Sequence, residues 1–300
     1  MFLTGGADGA EKSDRPIYLG VLPEEKPTEM LKRFEELERY LREETGLNIH
    51  LKFYPTAGIT GGLTAIVMEI ANGDIDFAWL NAVTCVQANG VGPVVPFACG
   101  ERKGGPYYRG YLAVRANSPY QSFMDLRGKM VCGTSASSVS GNLIPTAWLL
   151  DKKLDKFTLF KFYYLGREDN AARAVLVGEF EGCFINEYTF DNFNENGVKL
   201  RSIWEHPAVP ENPFCVNTEK VSPEVLEKVK TALFNMDKKD LAGIKAVNKK
   251  YEKWTPAQWE DYTSIKRLTD MIYGQKFYDL YYWRELADKT KKRLQQYGGF

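Results

Sequence analysis

The stretch KMVCGTSASSVSGNLIPTAWLL, Lys129 to Leu150, decides how this chain is organised. Its first five residues suit a short buried strand, its middle is crowded with hydroxyl side chains and glycine, and its end is an apolar, helix-forming segment. Pro145 sets where the helix starts. Proline lacks an N–H and is tolerated in a helix only near the first turn, so the helix begins close to Gly141, from about Asn142. Strand, polar turn and helix in succession are the unit of an α/β fold.

Working outward, the same rhythm recurs on both sides. PIYLGVL (Pro16 to Leu22) reads as a strand, followed by a helix with Met30, Phe34, Leu37 and Leu41 at helical spacing. Ile49 to Phe53 is a strand, Leu63 to Ala71 a helix stopped by Gly73, and IDFAWL a continuous apolar strand of the kind buried on both faces. VVPFACG and YYRGYLAVRANSP add strands. KMVCG, FKFYYLG, GCFIN and LRSIW, with helices from about Asn142 and from Asp169, make a second unit. Pro223 to Asn235, Pro256 to Tyr273 and Lys276 to Gln296 are helical in pattern. Two extended segments, Tyr108 to Ala116 and Ser202 to Asn217, cross between the units. The expected organisation is a flexible tail (1–15), one lobe from 16–110 with 217–300, and a second from 111–216, with the C-terminal helices packing on the first. A cleft between such lobes is the natural ligand site.

Composition narrows the function. The 39 basic and 39 acidic side chains of the 300-residue chain cancel, so no global field draws in a nucleic acid or an anionic membrane. No apolar run approaches the roughly 20 residues that span a bilayer. The N-terminal MFLTGGADGAEKSDRP lacks a basic and apolar signal pattern, so an export signal is expected to lie outside this chain. Cys85, Cys99, Cys132, Cys183 and Cys215 are scattered, with no CxxC, and His50 and His206 are the only histidines. Neither a metal site nor a cofactor is expected.

The hydroxyl-rich turn fails the sharper motifs. No lysine follows Gly141 as a P-loop needs, Gly133 and Gly141 are too far apart for GxGxxG, and no serine sits in GxSxG. What remains is a helix start whose N–H groups around Val139 to Asn142 point outward beside the Ser138 and Ser140 hydroxyls, a cradle for an anion. Serines also cap helices and satisfy turns, but one would suffice for that. A second glycine-rich helix start, Thr60, Gly61, Gly62 and Leu63, supplies a matching cradle from the other lobe.

At these residues the chain resembles the substrate-binding proteins of phosphonate, phosphite and phosphate ABC importers. SVSGNLIP, Ser138 to Pro145, matches that family's Ser-x-Ser-Gly-x-x-x-Pro turn. NGDIDFAWLN (Asn72 to Asn81), GGPYYRGYLAVRANSP with Tyr108 at the usual cleft tyrosine, LGREDNAARAV and PAVPENPFCV resemble further family segments, over roughly Ile17 to Val216. The resemblance implies an α/β fold of the type 2 periplasmic-binding-protein class, two lobes joined by two crossover strands. It also implies a non-enzymatic, monomeric, extracytoplasmic binder that docks on a transporter permease or a sensor histidine kinase.

The departures from the family pattern shape the ligand expectation. Leu63 stands where an aromatic residue is usual, Arg167 where a histidine is usual, and Asn212 at one place where an acidic group would grip an amine. A permanent bidentate cation suits a tetrahedral oxyanion. The expected ligand is therefore phosphate, arsenate, phosphite or a phosphonate. It would be held by Ser138, Val139, Ser140, Gly141, Asn142, Thr60, Gly61, Gly62, Leu63, Asn81, Tyr108, Arg167 and Glu187. Alternatives are an arsenite sensor using Cys99, an enzyme using Ser140 or Glu187, which the absence of any base beside a serine opposes, and a regulator's ligand-sensing module.

Overall fold

A computed structural model describes residues 15–22, 24, 27–54, 61–195 and 197–279. A six-stranded sheet combines β1 (Ile17–Val21), β2 (Ile49–Phe53), β3 (Phe77–Trp79) and β4 (Val94–Arg102) with two strands from the other end of the chain, β12 (Pro213–Asn217) and β13 (Tyr251–Pro256). Its order is β13-β4-β12-β3-β1-β2. β1 pairs in parallel with β2 and β3, whereas β12 runs antiparallel to β3 and β4. Parallel neighbours require crossovers, here the helices Pro27–Thr45 and Gly61–Asn72. The first buries the stripe Met30, Phe34, Leu37 and Leu41 in one core with Val21, Trp79 and Phe214.

A five-stranded sheet follows the order β10-β6-β9-β7-β8, built from β6 (Gly110–Arg115), β7 (Met130–Gly133), β8 (Lys161–Tyr164), β9 (Gly182–Asn186) and β10 (Leu200–Glu205). The chain leaves the first sheet through β4 and enters the second through β6; it returns from β10 to β12. Along the way β5 (Tyr107–Tyr108) and β11 (Val209–Pro210) pair antiparallel, so both crossings run side by side as a narrow ribbon between the sheets.

The C-terminal part differs from its sequence reading in two places. YEKWTP forms the edge strand β13 before the helix Thr263–Tyr273, which therefore starts later than Pro256. That helix does not sit on the first sheet's side alone. It lies between the helices Ala82–Val91 and Ile144–Asp151, where Ile265 and, just beyond it, Phe277 join a core with Val83, Leu143 and Ile144. The helices Pro223–Lys239 and Leu241–Val247 pack on Pro27–Thr45 as expected. Of the segment 276–296 only the part to Asp279 is described, and Gly274–Tyr278 forms a 3-10 turn there; residues 280–296 and the N-terminal tail up to residue 14 lie outside the described residues.

Candidate functional site

β7 ends at Gly133, and the hydroxyl-rich turn folds back on it so closely that a Cβ on Gly133 would stand 2.1 Å from the Gly141 carbonyl oxygen. Between turn and helix lies a wide π-helical turn, Val139–Leu143, before the α-helix Ile144–Asp151 with Pro145 in its first turn. Ser138 caps this turn: its Oγ accepts the Gly141 N–H at 2.9 Å. That N–H is satisfied within the protein and does not face a ligand. The N–H groups at Val139 and Ser140 begin the turn, and both residues line the cavity described below.

Asn142, expected as a ligand contact, is instead fully buried behind the turn. Its Nδ2 donates to the Ala136 carbonyl at 2.6 Å and to the Tyr273 hydroxyl at 2.5 Å, while its Oδ1 accepts from Tyr164 at 2.5 Å, from Thr146 at 3.2 Å and from the Lys156 amine. An amide with every valence engaged has nothing to offer a ligand. Lys156, which the sequence reading missed, is buried against Phe157, Phe162 and Tyr164, and burial lowers its amine to about 7.

Opposite the turn stands a wall of charged pairs from the first sheet. Arg33 donates to Glu24 at 3.4 Å and to the Val247 carbonyl at 3.0 Å, and its guanidinium lies 4.9 Å from the Tyr188 ring. Arg102, the last residue of β4, pairs with Glu187 at 2.9 Å and with buried Glu211, whose other oxygen accepts the Tyr251 hydroxyl at 2.7 Å. Among them Trp79, at the end of β3, is 1% exposed, and its indole N–H has no partner among the described residues.

Turn and wall enclose a cavity of about 70 Å³. Leu63, Asn81, Tyr108, Ser138, Val139, Ser140 and Arg167 line it, together with Thr134, Ser135, Trp79 and the carboxyls of Glu24, Glu168 and Glu211, none of which was anticipated. Gly61 and Gly62 open the helix Gly61–Asn72, and Thr60 lies outside the described residues. Asn81 is partly occupied: its Oδ1 caps the helix Ala82–Val91 by accepting the Thr84 N–H at 2.8 Å, and its Nδ2 reaches across to the Ser137 carbonyl at 3.3 Å. Arg167 lines the cavity while its Nε and Nη2 hold Asp169 and Asn170, each at 2.9 Å. It is therefore no unpaired cation awaiting an anion. Glu168 accepts the Asn186 N–H at 2.9 Å, yet burial raises its carboxyl to about 8 against that bond and the nearby Ser138 and Thr134 hydroxyls. Burial therefore favours its protonated form near neutral pH.

Three expectations are corrected. Glu187 does not line the cavity; it bridges Arg102 and Lys250, whose pull outweighs burial and holds its carboxyl below the usual range. Cys99 is buried in β4 between β12 and β13, away from the cavity lining, and burial pushes its thiol up to about 12. No group of three metal-ligating side chains occurs among the described residues. Finally, a base does stand beside a serine: His206 Nε2 lies 3.1 Å from Ser140 Oγ. His206 follows the last residue of β10, far away in sequence, so spacing could not reveal it. A carbonyl, Pro207 O at 2.6 Å from Nδ1, orients the ring where a hydrolase triad places a carboxylate.

Comparison with known proteins identifies the family and the fold. The family described as the periplasmic substrate-binding protein of a phosphonate ABC transporter matches residues 19–262. The phosphate-import protein PhnD of Mycolicibacterium smegmatis is 25% identical over 243 residues, covering 74% of this chain and 72% of that protein. Two solved structures share the fold. A binding protein component of an ABC phosphonate transporter from Pseudomonas aeruginosa, 19% identical, superposes with a TM-score of 0.74 over 94% of this chain and 98% of its own. PhnD1 of Prochlorococcus marinus, solved with methylphosphonate, is 17% identical with a TM-score of 0.76 over 87% of this chain and 99% of its own.

Proposed function

The chain belongs to the family of periplasmic substrate-binding proteins of phosphonate ABC transporters, and from that premise we propose that its two α/β halves close on one small tetrahedral oxyanion. Phosphate, phosphite, arsenate and a short phosphonate are the candidates, delivered to the permease of an importer. The observation that carries this reading is the unpartnered Trp79 indole N–H, buried in the wall opposite the Val139 and Ser140 N–H groups. A buried donor without an acceptor costs about 1–3 kcal/mol, so a ligand oxygen is its natural partner. The size of the cavity, about 70 Å³, suits an anion of a few heavy atoms rather than a long organic chain.

The charge pattern supports the same class. Arg33 and Arg102 each face a carboxylate, and Arg167 faces Asp169, so the ligand's charge is met chiefly by N–H and O–H dipoles. Such a site discriminates by shape and by hydrogen-bond complementarity. The phosphate named for the Mycolicibacterium relative and the methylphosphonate held by the Prochlorococcus protein both fit this class. Closure is what a permease would read, and contacts across the cleft, Asn81 to Ser137 and Lys250 to Glu187 and Asp191, are those that closure would form.

The test is calorimetric titration of protein freed of ligand by unfolding and refolding, with phosphate, phosphite, arsenate, methylphosphonate and sulfate. Saturable binding of at least one phosphorus or arsenic oxyanion, weakened in Trp79→Phe, is expected. Absence of binding by all four would overturn the reading.

A further inference from the structure

The pairing of Ser140 with His206 goes beyond anion binding, because it decides the direction of a hydrogen bond. Pro207 O is a carbonyl and can only accept, so His206 Nδ1, 2.6 Å away, carries the ring proton. His206 is 1% exposed, and burial lowers its pKa, so the ring is neutral and Nε2 is a bare acceptor. Ser140 Oγ, 3.1 Å from Nε2, has one proton to give, and it goes to the histidine. The Tyr108 ring packs edge-on against the His206 ring, with centroids 6.2 Å apart. The contact is built into the backbone: a Cβ on Gly110 would stand 2.6 Å from His206 Nε2 and 2.7 Å from Ser140 Oγ, so only glycine leaves room for the pair.

From this, and resting on the oxyanion reading above, the geometry points to His206 as a specificity-determining residue that holds the Ser140 hydroxyl as an acceptor, so that the cavity prefers oxyanions bearing a hydroxyl over those with none. A lone pair facing the cavity attracts a P–OH or As–OH group and repels a bare anionic oxygen. Phosphate and sulfate share shape and nearly share size, but slightly below neutral pH phosphate carries one or two hydroxyls and sulfate carries none. A site that presents only donors cannot tell them apart; a fixed acceptor can, and the Glu24 and Glu211 carboxylates that also line the cavity are already engaged by Arg33 and Arg102. His206 acts through Ser140 and is a positioning residue, so its signature is a change in selectivity and not merely in affinity.

The experiment measures phosphate and sulfate dissociation constants slightly below neutral pH, with ligand-free wild type, His206→Phe and Ser140→Ala. Wild type is expected to favour phosphate by at least about tenfold, the equivalent of one hydrogen bond. In His206→Phe the ring volume is kept and the acceptor is lost, which releases the Ser140 proton towards the cavity; the preference is expected to collapse by a similar factor, chiefly through tighter sulfate binding. Ser140→Ala removes the acceptor outright and is expected to erode the preference too, which keeps the test decisive if His206→Phe does not fold. Equal binding of the two anions by wild type, or an unchanged ratio in the folded variants, overturns the inference while leaving the oxyanion reading intact. Failure of wild type to bind any phosphorus or arsenic oxyanion overturns the reading beneath it, and the inference with it.

Discussion

The two walls of the cavity are built on opposite electrostatic plans. The wall from the second sheet is mostly neutral: Thr134, Ser135, Ser138, Ser140 and the first N–H groups of a helical turn, with Glu168 held as an acid and a single cation, Arg167, already paired with Asp169. The wall from the first sheet is charged but already paired, Arg33 with Glu24 and Arg102 with Glu211 and Glu187. The difference separates two jobs. Removing a group from the paired wall strands a buried charge, so stability is concentrated there; removing one from the neutral wall loses a hydrogen bond, so recognition is concentrated there.

The largest effect expected from this contrast is on the charged wall. Arg102→Ala leaves Glu211, 3% exposed, without its cation, and unfolding in urea should show a loss of about 3–5 kcal/mol. Adding Glu211→Gln should restore part of that loss. A loss no larger than that of a surface substitution would break the comparison.

Glu168 sharpens it through pH. Its carboxyl, raised from 4.5 to about 8 in the fold, keeps a proton that the unfolded chain releases. The stabilising contribution is therefore complete below pH 4.5 and is lost as pH rises through about 8, by an amount on the order of a few kcal/mol. Glu168→Gln should flatten the stability profile over that window. A slope that survives the substitution would mean that another group controls it.

Trp79 separates recognition from stability within the charged wall itself. Trp79→Phe deletes one unpartnered N–H, so affinity for the bound oxyanion should fall by roughly tenfold to a hundredfold, the worth of a hydrogen bond to a charged group. Thermal stability of the ligand-free protein should hold or fall only by the change in packed volume. A large loss of stability with unchanged affinity would reverse the assignment. The smallest effect is expected at Lys250, whose side chain is 39% exposed beside Glu187 and Asp191 across the cleft. Lys250→Ala should weaken ligand binding by no more than about fivefold, shrinking further in high salt, as for a solvent-screened ion pair.

The neutral wall was legible because it is contiguous. Within Gly133 to Pro145 the hydroxyls, the two glycines and the proline that sets the helix start are neighbours in sequence, so local stereochemistry alone implies a polar turn facing outward. Even there, sequence overreached at Asn142 and Gly141, whose hydrogen bonds turn inward, to Tyr164, Lys156 and Tyr273 in one case and to Ser138 in the other. The direction in which a polar side chain is satisfied depends on partners that spacing does not reveal. The charged wall was illegible for the same reason carried further. Glu24, Arg33, Trp79 and Arg102 are spread over about the first third of the chain, and Glu211 joins them only because β12 returns between β3 and β4.

By itself the amino-acid sequence determined the α/β rhythm, the two crossing segments and the hydroxyl-rich turn, because each follows from periodicity, proline placement and local hydrogen bonding over a few residues. Only the tertiary structure decided which groups line the cavity. It brought Trp79 to the cavity with its indole N–H unpartnered among the described residues, took Glu187 and Cys99 out of the lining, and brought His206, just after β10, against Ser140 in the space left open by Gly110. Those outcomes rest on contacts between distant strands, where burial and pairing, not local propensity, set the proton on a histidine and the direction of a hydroxyl.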